Sequence, residues 1–200
     1  AQDPVQGLLF AEIRNRGLAA FFDDPRDLRA RVECMRRLDG DADWPDFSTQ
    51  GLLDSVHLWL PPWLRAGEGA RQLRSIALAD VLTGVLGWER ARRLDRMLPL
   101  HFETPAGTRR RIQYGFEGPP VIALPLQEVL GLREGPVLAG GRLTVLLHLL
   151  SPAGRPLQVT SDLAGFWAGA YAEVRKEMRG RYPKHFWPDD PVSARATRFT

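Results

Sequence analysis

One cysteine, Cys34, stands among the 200 residues, so no disulfide can close within the chain and no multi-cysteine metal site is available. Lysine is almost as scarce. Lys176 and Lys184 are two of the 27 basic residues, and the rest are arginine. Arginine binds phosphate through two parallel hydrogen bonds and stacks on bases, although a GC-rich genome produces the same bias. Long hydrophobic runs are missing: the longest, around Leu143 to Leu150, is interrupted by Thr144 and His148 and is far too short to span a bilayer. The opening Ala1-Gln2-Asp3-Pro4 has no basic n-region and no apolar signal core, so a cytoplasmic chain is expected. His57, His101, His148 and His185 are scattered without metal-ligand spacing, and His148, set between leucines, reads as a sheet residue. Ser151-Pro152 lacks the Gly-x-Ser-x-Gly context of a nucleophile elbow. There is no Gly-x-x-x-x-Gly-Lys-Ser/Thr phosphate loop and no Asp-Glu-x-His run, so no residue is assigned a catalytic, cofactor or metal role.

What is present is an ordinary globular composition, 44% hydrophobic and 26% charged, long enough to bury a core without staples. With 19 glycines and 16 prolines, short elements and many turns are expected. The net charge of +3 is unevenly spread: residues 1–97 carry 14 basic against 15 acidic side chains, and residues 98–200 carry 13 against 9.

The span 1–97 reads as helical. Apolar positions Leu8, Leu9 and Ile13 suggest a helix from Val5 to Arg16, and Asp24-Pro25 reads as an N-cap followed by a first-turn proline. Ser48 can cap a helix carrying Leu52, Leu53, Val56, Trp59 and Leu60, which Pro61-Pro62 ends. Trp59 and Trp63 read as core, or as an aromatic surface for a partner. Further helices are expected over Ala77–Leu86 and Trp88–Met97, the latter with Trp88, Ala91, Leu94 and Leu98 on one side.

The character changes at Pro99. Leu100–Glu103 and Thr108–Tyr114 flank the turn Thr104-Pro105-Ala106-Gly107, the pattern of a hairpin. Val121–Leu124, Arg142–Leu150 and Pro156–Thr160 read as further strands. The second of these, apolar on both faces, is expected to be central. A single long helix is expected from Ser161 or Asp162 to about Arg179, with Leu163, Trp167, Tyr171, Val174 and Met178 as its apolar stripe. Tyr182 to Pro191 should form an extended proline-rich arm. The expected fold is α+β: a helical region over 1–97, then over 98–200 a small, mainly antiparallel sheet covered by the long C-terminal helix and followed by the arm.

Arg175, Lys176, Arg179, Arg181 and Lys184 place five positive charges within ten residues, beside Tyr182, His185, Phe186 and Trp187. Cations neutralise phosphates and aromatic rings stack on unpaired bases, so Arg175, Lys176, Arg179, Arg181, Lys184 and Trp187 are candidate nucleic-acid contacts. The same cations also suit the solvated face and C-terminal end of a helix, with Glu173 and Glu177 as ion-pair partners, and the aromatic residues suit an arm tied to the core or to another domain. Arg109 and Arg111 share one face of the proposed hairpin and are second candidates. They equally suit a protected sheet edge.

The runs Asp162-Leu163-Ala164-Gly165-Phe166-Trp167, Tyr171 to His185, and Trp187-Pro188-Asp189-Asp190-Pro191 resemble the C-terminal signature of bacterial HrpB-type helicases. Leu146 to Pro152, Arg155 to Thr160, Leu126-Gln127-Glu128, Gly131-Leu132 and Pro99 to Pro105 are similar too, so the resemblance covers roughly residues 98–191. Pro125 departs from it, where a basic residue is expected. The resemblance implies a parent with two RecA-like DExH motor domains that hydrolyse ATP with magnesium and bind nucleic acid. This chain would then be a non-catalytic accessory region that packs on the motor of the same polypeptide, touches single-stranded nucleic acid, or recruits a protein partner, with no membrane role.

Overall fold

A computed structural model describes residues 4–65 and 70–198, arranged as two compact units. The first runs to Arg96 and takes in Gly115–Glu117; the second comprises Met97–Tyr114 and the chain from Gly118 onward.

In the first unit, helix α1 is Pro4–Arg16 and α2 is Arg26–Asp39. Two short helices, α3 (Thr49–Asp54) and α4 (Val56–Trp59), lead into the single turn Pro61–Trp63. Helices α5 (Leu78–Leu86) and α6 (Trp88–Met97) follow. Ser48 caps α3 as expected, its hydroxyl accepting from Gly51 N at 3.0 Å. Asp24 does not cap α2. Its carboxylate instead takes the buried Arg29 guanidinium at 2.8 Å, and Pro25 moves out to the N-cap position. Arg29 is the polar centre of this unit: it also donates to Phe47 O at 2.9 Å and to Thr49 Oγ1 at 2.8 Å, with the Phe116 ring centroid 5.0 Å from the guanidinium. That stacking, with Arg37 donating to Phe116 O, is why a loop at 115–117 belongs with the helical unit. Phe10, Ile13, Val32, Met35, Leu52, Val56, Trp59, Leu82 and Leu94 fill the core. Leu8 and Trp88, assigned to apolar faces from spacing, are 76% and 69% exposed.

The second unit opens with the hairpin β1 (His101–Glu103) and β2 (Arg109–Arg111), antiparallel because the Thr104–Gly107 turn is too tight for anything else. Strand β3 (Val121–Pro125) is followed by one 3₁₀ turn, Leu126–Val129, by the short pair β4 (Val137–Leu138) and β5 (Leu143–Thr144), then by β6 (Leu146–Leu150) and β7 (Pro156–Thr160). β6 is central in the order β3-β6-β7, with Leu147 and Leu149 sealed from solvent. The strand pairs are mainly antiparallel, as expected, with one expectation changed and one parallel pairing among them. The run 142–150 is broken at Val145, where the chain leaves its β4 partner and joins β3. The β3–β6 pairing is parallel, made possible by the long crossover through 126–145.

The long C-terminal helix is divided as well. α7 (Leu163–Ala168) starts on the Asp162 cap and stops at Gly169, whose backbone is not helical, and α8 (Tyr171–Arg181) follows. The break turns Phe166 inward, where it packs edge-to-face on Tyr171 with ring centroids 5.9 Å apart, whereas Trp167 and Val174 are only half-buried. No helix among the described residues is long and apolar enough to cross a membrane.

Candidate nucleic-acid interface

Helical spacing sorts the cations of α8 onto different faces. Tyr171 and Met178 are buried. Arg175 and Arg179, one turn apart, border the arm that follows the helix. The arm is not loosely extended. Tyr171 donates its phenol to Pro188 O at 2.7 Å, Trp187 Nε1 donates to Tyr182 O at 3.0 Å, and Gly131 N donates to Pro191 O at 2.9 Å. At Gly131 the backbone has φ 86°, and a Cβ would stand 2.9 Å from Ala194 O, so the tail's close approach requires glycine there.

Trp187 is therefore core. It is 6% exposed and its indole N–H is spent on the arm, so its ring offers no face to a base, contrary to the expectation from sequence. Arg175 is also partly structural: Nε donates to Trp187 O at 3.0 Å and Nη2 pairs with the Asp189 carboxylate. Burial pushes the Tyr171 phenol up to about 12; the nearby Arg175 pulls the other way and Asp189 adds to the rise.

Between α8 and the arm lies a groove of about 460 Å³, bordered by Arg175, Arg179, Pro183, His185, Phe186 and Asp189. Arg179 is exposed, and Phe186 is 47% exposed at the rim. Lys176 lies on another face, beside Glu173 and Glu177. Arg181 is 3.8 Å from Glu177, and both are more than half exposed, an arrangement that contributes little. Lys184 is exposed in the turn after the helix.

On the hairpin, Arg109 and Arg111 are exposed on one face of β2. Arg109 Nε lies 3.4 Å from Glu103 on β1, and Arg111 pairs in register with His101. Arg110, between them, points the other way into a network that sequence reading missed. Its Nε and Nη2 donate to the two oxygens of Glu128 at 2.7 and 2.5 Å, and Thr108 Oγ1 adds a third bond at 2.7 Å. Burial alone would push the Glu128 carboxyl up, but bonds from Arg110 and Thr108 and the charges of Arg110 and Arg198 together hold it below the usual carboxylate range. Arg198 donates to Ala106 O and Gly107 O, tying the tail to the hairpin turn. The candidate cations thus fall into an α8-and-arm group and a hairpin group on separate elements.

Among the described residues no three His, Cys, Asp or Glu are grouped to hold a metal. Lys176 sits within a helix and Lys184 in a turn after one, and neither follows a glycine-rich phosphate loop.

A family model described as "ATP-dependent helicase C-terminal" matches residues 59–191. The chain belongs to this family of helicase C-terminal regions. It is similar to the protein named ATP-dependent RNA helicase HrpB of Escherichia coli strain K12, with 41% identity over 202 residues. That match covers the whole chain but 25% of the relative, so the chain spans about a quarter of its length. Among solved structures it is similar to the E. coli DExH-box NTPase HrpB, with TM-score 0.88 and 40% identity, covering all of this chain and 25% of that one. It is also similar to the Escherichia coli DEAH/RHA helicase HrpB, with TM-score 0.74 and 38% identity over 94% of this chain and 24% of that one. This likeness supports the α+β architecture over the whole chain, beyond the roughly 98–191 that the sequence resemblance covered.

Proposed function

We propose that this chain is a non-catalytic accessory module of an ATP-dependent DExH-box helicase, which packs on the motor domains of the same polypeptide and lends single-stranded nucleic acid a cationic path. The observation that carries the reading is that Lys176, Arg179, Arg181 and Lys184 are all exposed on α8 and the turn after it, with Arg179 bordering the groove that the half-exposed ring of Phe186 also lines. Cations at this density release counterions from a phosphate backbone, and an exposed aromatic favours unpaired bases. Family membership supports the helicase context, and the relative that carries a curated name is called an RNA helicase. The absence of a phosphate loop from the sequence supports the non-catalytic role.

A second reading, a module that recruits a protein partner, has its own observation. In the first unit Leu58 and Trp88 are 70% and 69% exposed, and Trp63 and Val85 are both 44% exposed. Salt separates the two. Four phosphate contacts predict a log–log slope of about −2.8 on single strands, or roughly 50-fold weaker binding between 50 and 200 mM salt. Capture of a partner through apolar side chains is salt-tolerant. Titration of labelled single-stranded RNA and DNA at both salt concentrations is the test, and no binding at the lower one overturns the nucleic-acid reading.

A further inference from the structure

We propose that the groove between α8 and the arm is a subsite for one phosphate and one unpaired base of a nucleic-acid strand, and that Asp189 is a resident anion which the incoming phosphate displaces from Arg175. This deepens the reading above and rests on it. Arg175 is held in place without Asp189, because its Nε is anchored on Trp187 O. Its Nη2 end meets a carboxylate whose side chain is 89% exposed. A guanidinium fork accepts carboxylate and phosphate oxygens by the same geometry, so Asp189 stands where a phosphate oxygen fits. The Arg175 side chain is 20% exposed and stays in place, whereas the Asp189 carboxylate can turn out into water when a phosphate takes its position. Arg179 borders the same groove and supplies further donors.

The ring of Phe186 completes the site. A base attached to the bound phosphate needs a flat apolar wall, and Phe186 is the exposed one on this rim. The volume of about 460 Å³ lies within the range of small-ligand sites. Stacking on the Phe186 ring uses the face of a base, which every base has and which a duplex hides, so the subsite takes single strands over duplex and is tolerant of base identity.

The test is fluorescence anisotropy on the 200-residue chain with a labelled single strand and its duplex, comparing Arg179→Ala, Phe186→Ala and Asp189→Asn. All three positions are exposed, and thermal melts check that each variant is folded. Phe186→Ala should weaken single-strand binding about five-fold or more and leave duplex binding unchanged. Arg179→Ala should reduce the salt slope by about 0.7. Asp189→Asn should tighten binding by about two- to five-fold, since it removes the competing anion. If Asp189→Asn binds no tighter, the resident-anion role fails. If the wild type binds but Arg179→Ala and Phe186→Ala match it, the groove is wrong while the accessory reading survives. If the wild type binds no strand, both fail. If an oligoglutamate of equal charge competes as well as unlabelled strand does, the groove is a site for acidic peptides and the proposal is overturned.

Discussion

Truncating Arg110 to alanine isolates the energetics of the second unit. Glu128 is 1% exposed and accepts two of its three hydrogen bonds from Arg110. The variant leaves a buried carboxylate with one side-chain hydrogen bond, from Thr108, and the more distant charge of Arg198. Breaking a fully buried pair from one side costs about 3–5 kcal/mol. The Arg110 side chain is 35% exposed, so water reaches its outer end, and the loss is set lower, at about 2–3 kcal/mol. For a domain of about 100 residues this lowers the transition of the second unit by roughly 10–20 °C. The sign with pH is specific. In the wild type the Glu128 carboxyl is depressed, so the stability it contributes is present above the ordinary carboxylate range and is lost as pH falls through the depressed value. In the variant unbalanced burial raises that carboxyl, which protonates and sheds its penalty on acidification. Circular-dichroism melts near pH 7 and near pH 4 should therefore show a deficit that shrinks in acid, and adding Glu128→Gln should recover most of it at neutral pH. A deficit below about 0.5 kcal/mol, or one equal at both pH values, refutes the reasoning.

The first unit should be as sensitive at Arg29, which is 2% exposed and makes three side-chain hydrogen bonds: Arg29→Met should cost about 3 kcal/mol, read as a lower urea midpoint for that unit. Asp162→Ala removes the cap on Gly165 N at 2.8 Å and should cost about 1 kcal/mol, while Asp162→Asn should melt like the wild type. Ultraviolet titration should find one tyrosine ionising near pH 12, and Tyr171→Phe should abolish that late step. Because the folded value of Tyr171 is raised, the stability tied to it is complete below about pH 10 and is lost as pH climbs towards 12.

How much of this was legible in sequence depends on the range of the interaction. Local signals carried well: the Ser48 cap, the α6 limits Trp88–Met97, the Thr104–Gly107 turn and the centrality of β6 all follow from spacing, caps and turn chemistry. The mainly antiparallel pairing carried too, but the one parallel pair did not, because alternation is identical in parallel and antiparallel pairs, and β3 and β6 are joined by a long crossover. The break at Gly169 was hidden because the apolar stripe runs on in phase through a single glycine. At the site, the cations were visible as a charge run, but which are anchored and which are exposed was not. Arg175 and Trp187 are committed by contacts with residues 12 and 5 positions away, whereas Lys176 and Arg179 on the same helix stay exposed. Glu128 carried a faint signal, the one charged residue in the mostly apolar stretch from Val121 to Leu130; Asp189 carried none beyond its charge.

The account stands on α8 and the turn after it being a surface that exchanges counterions for phosphates. Its most direct test is the salt dependence of single-strand affinity for the wild-type chain against the combined Lys176→Ala, Arg179→Ala, Lys184→Ala variant, which leaves the anchoring Arg175 intact. The predicted result is a slope that falls from about −2.8 to about −0.7, with melting unchanged. A variant that binds with the wild-type slope and affinity contradicts it.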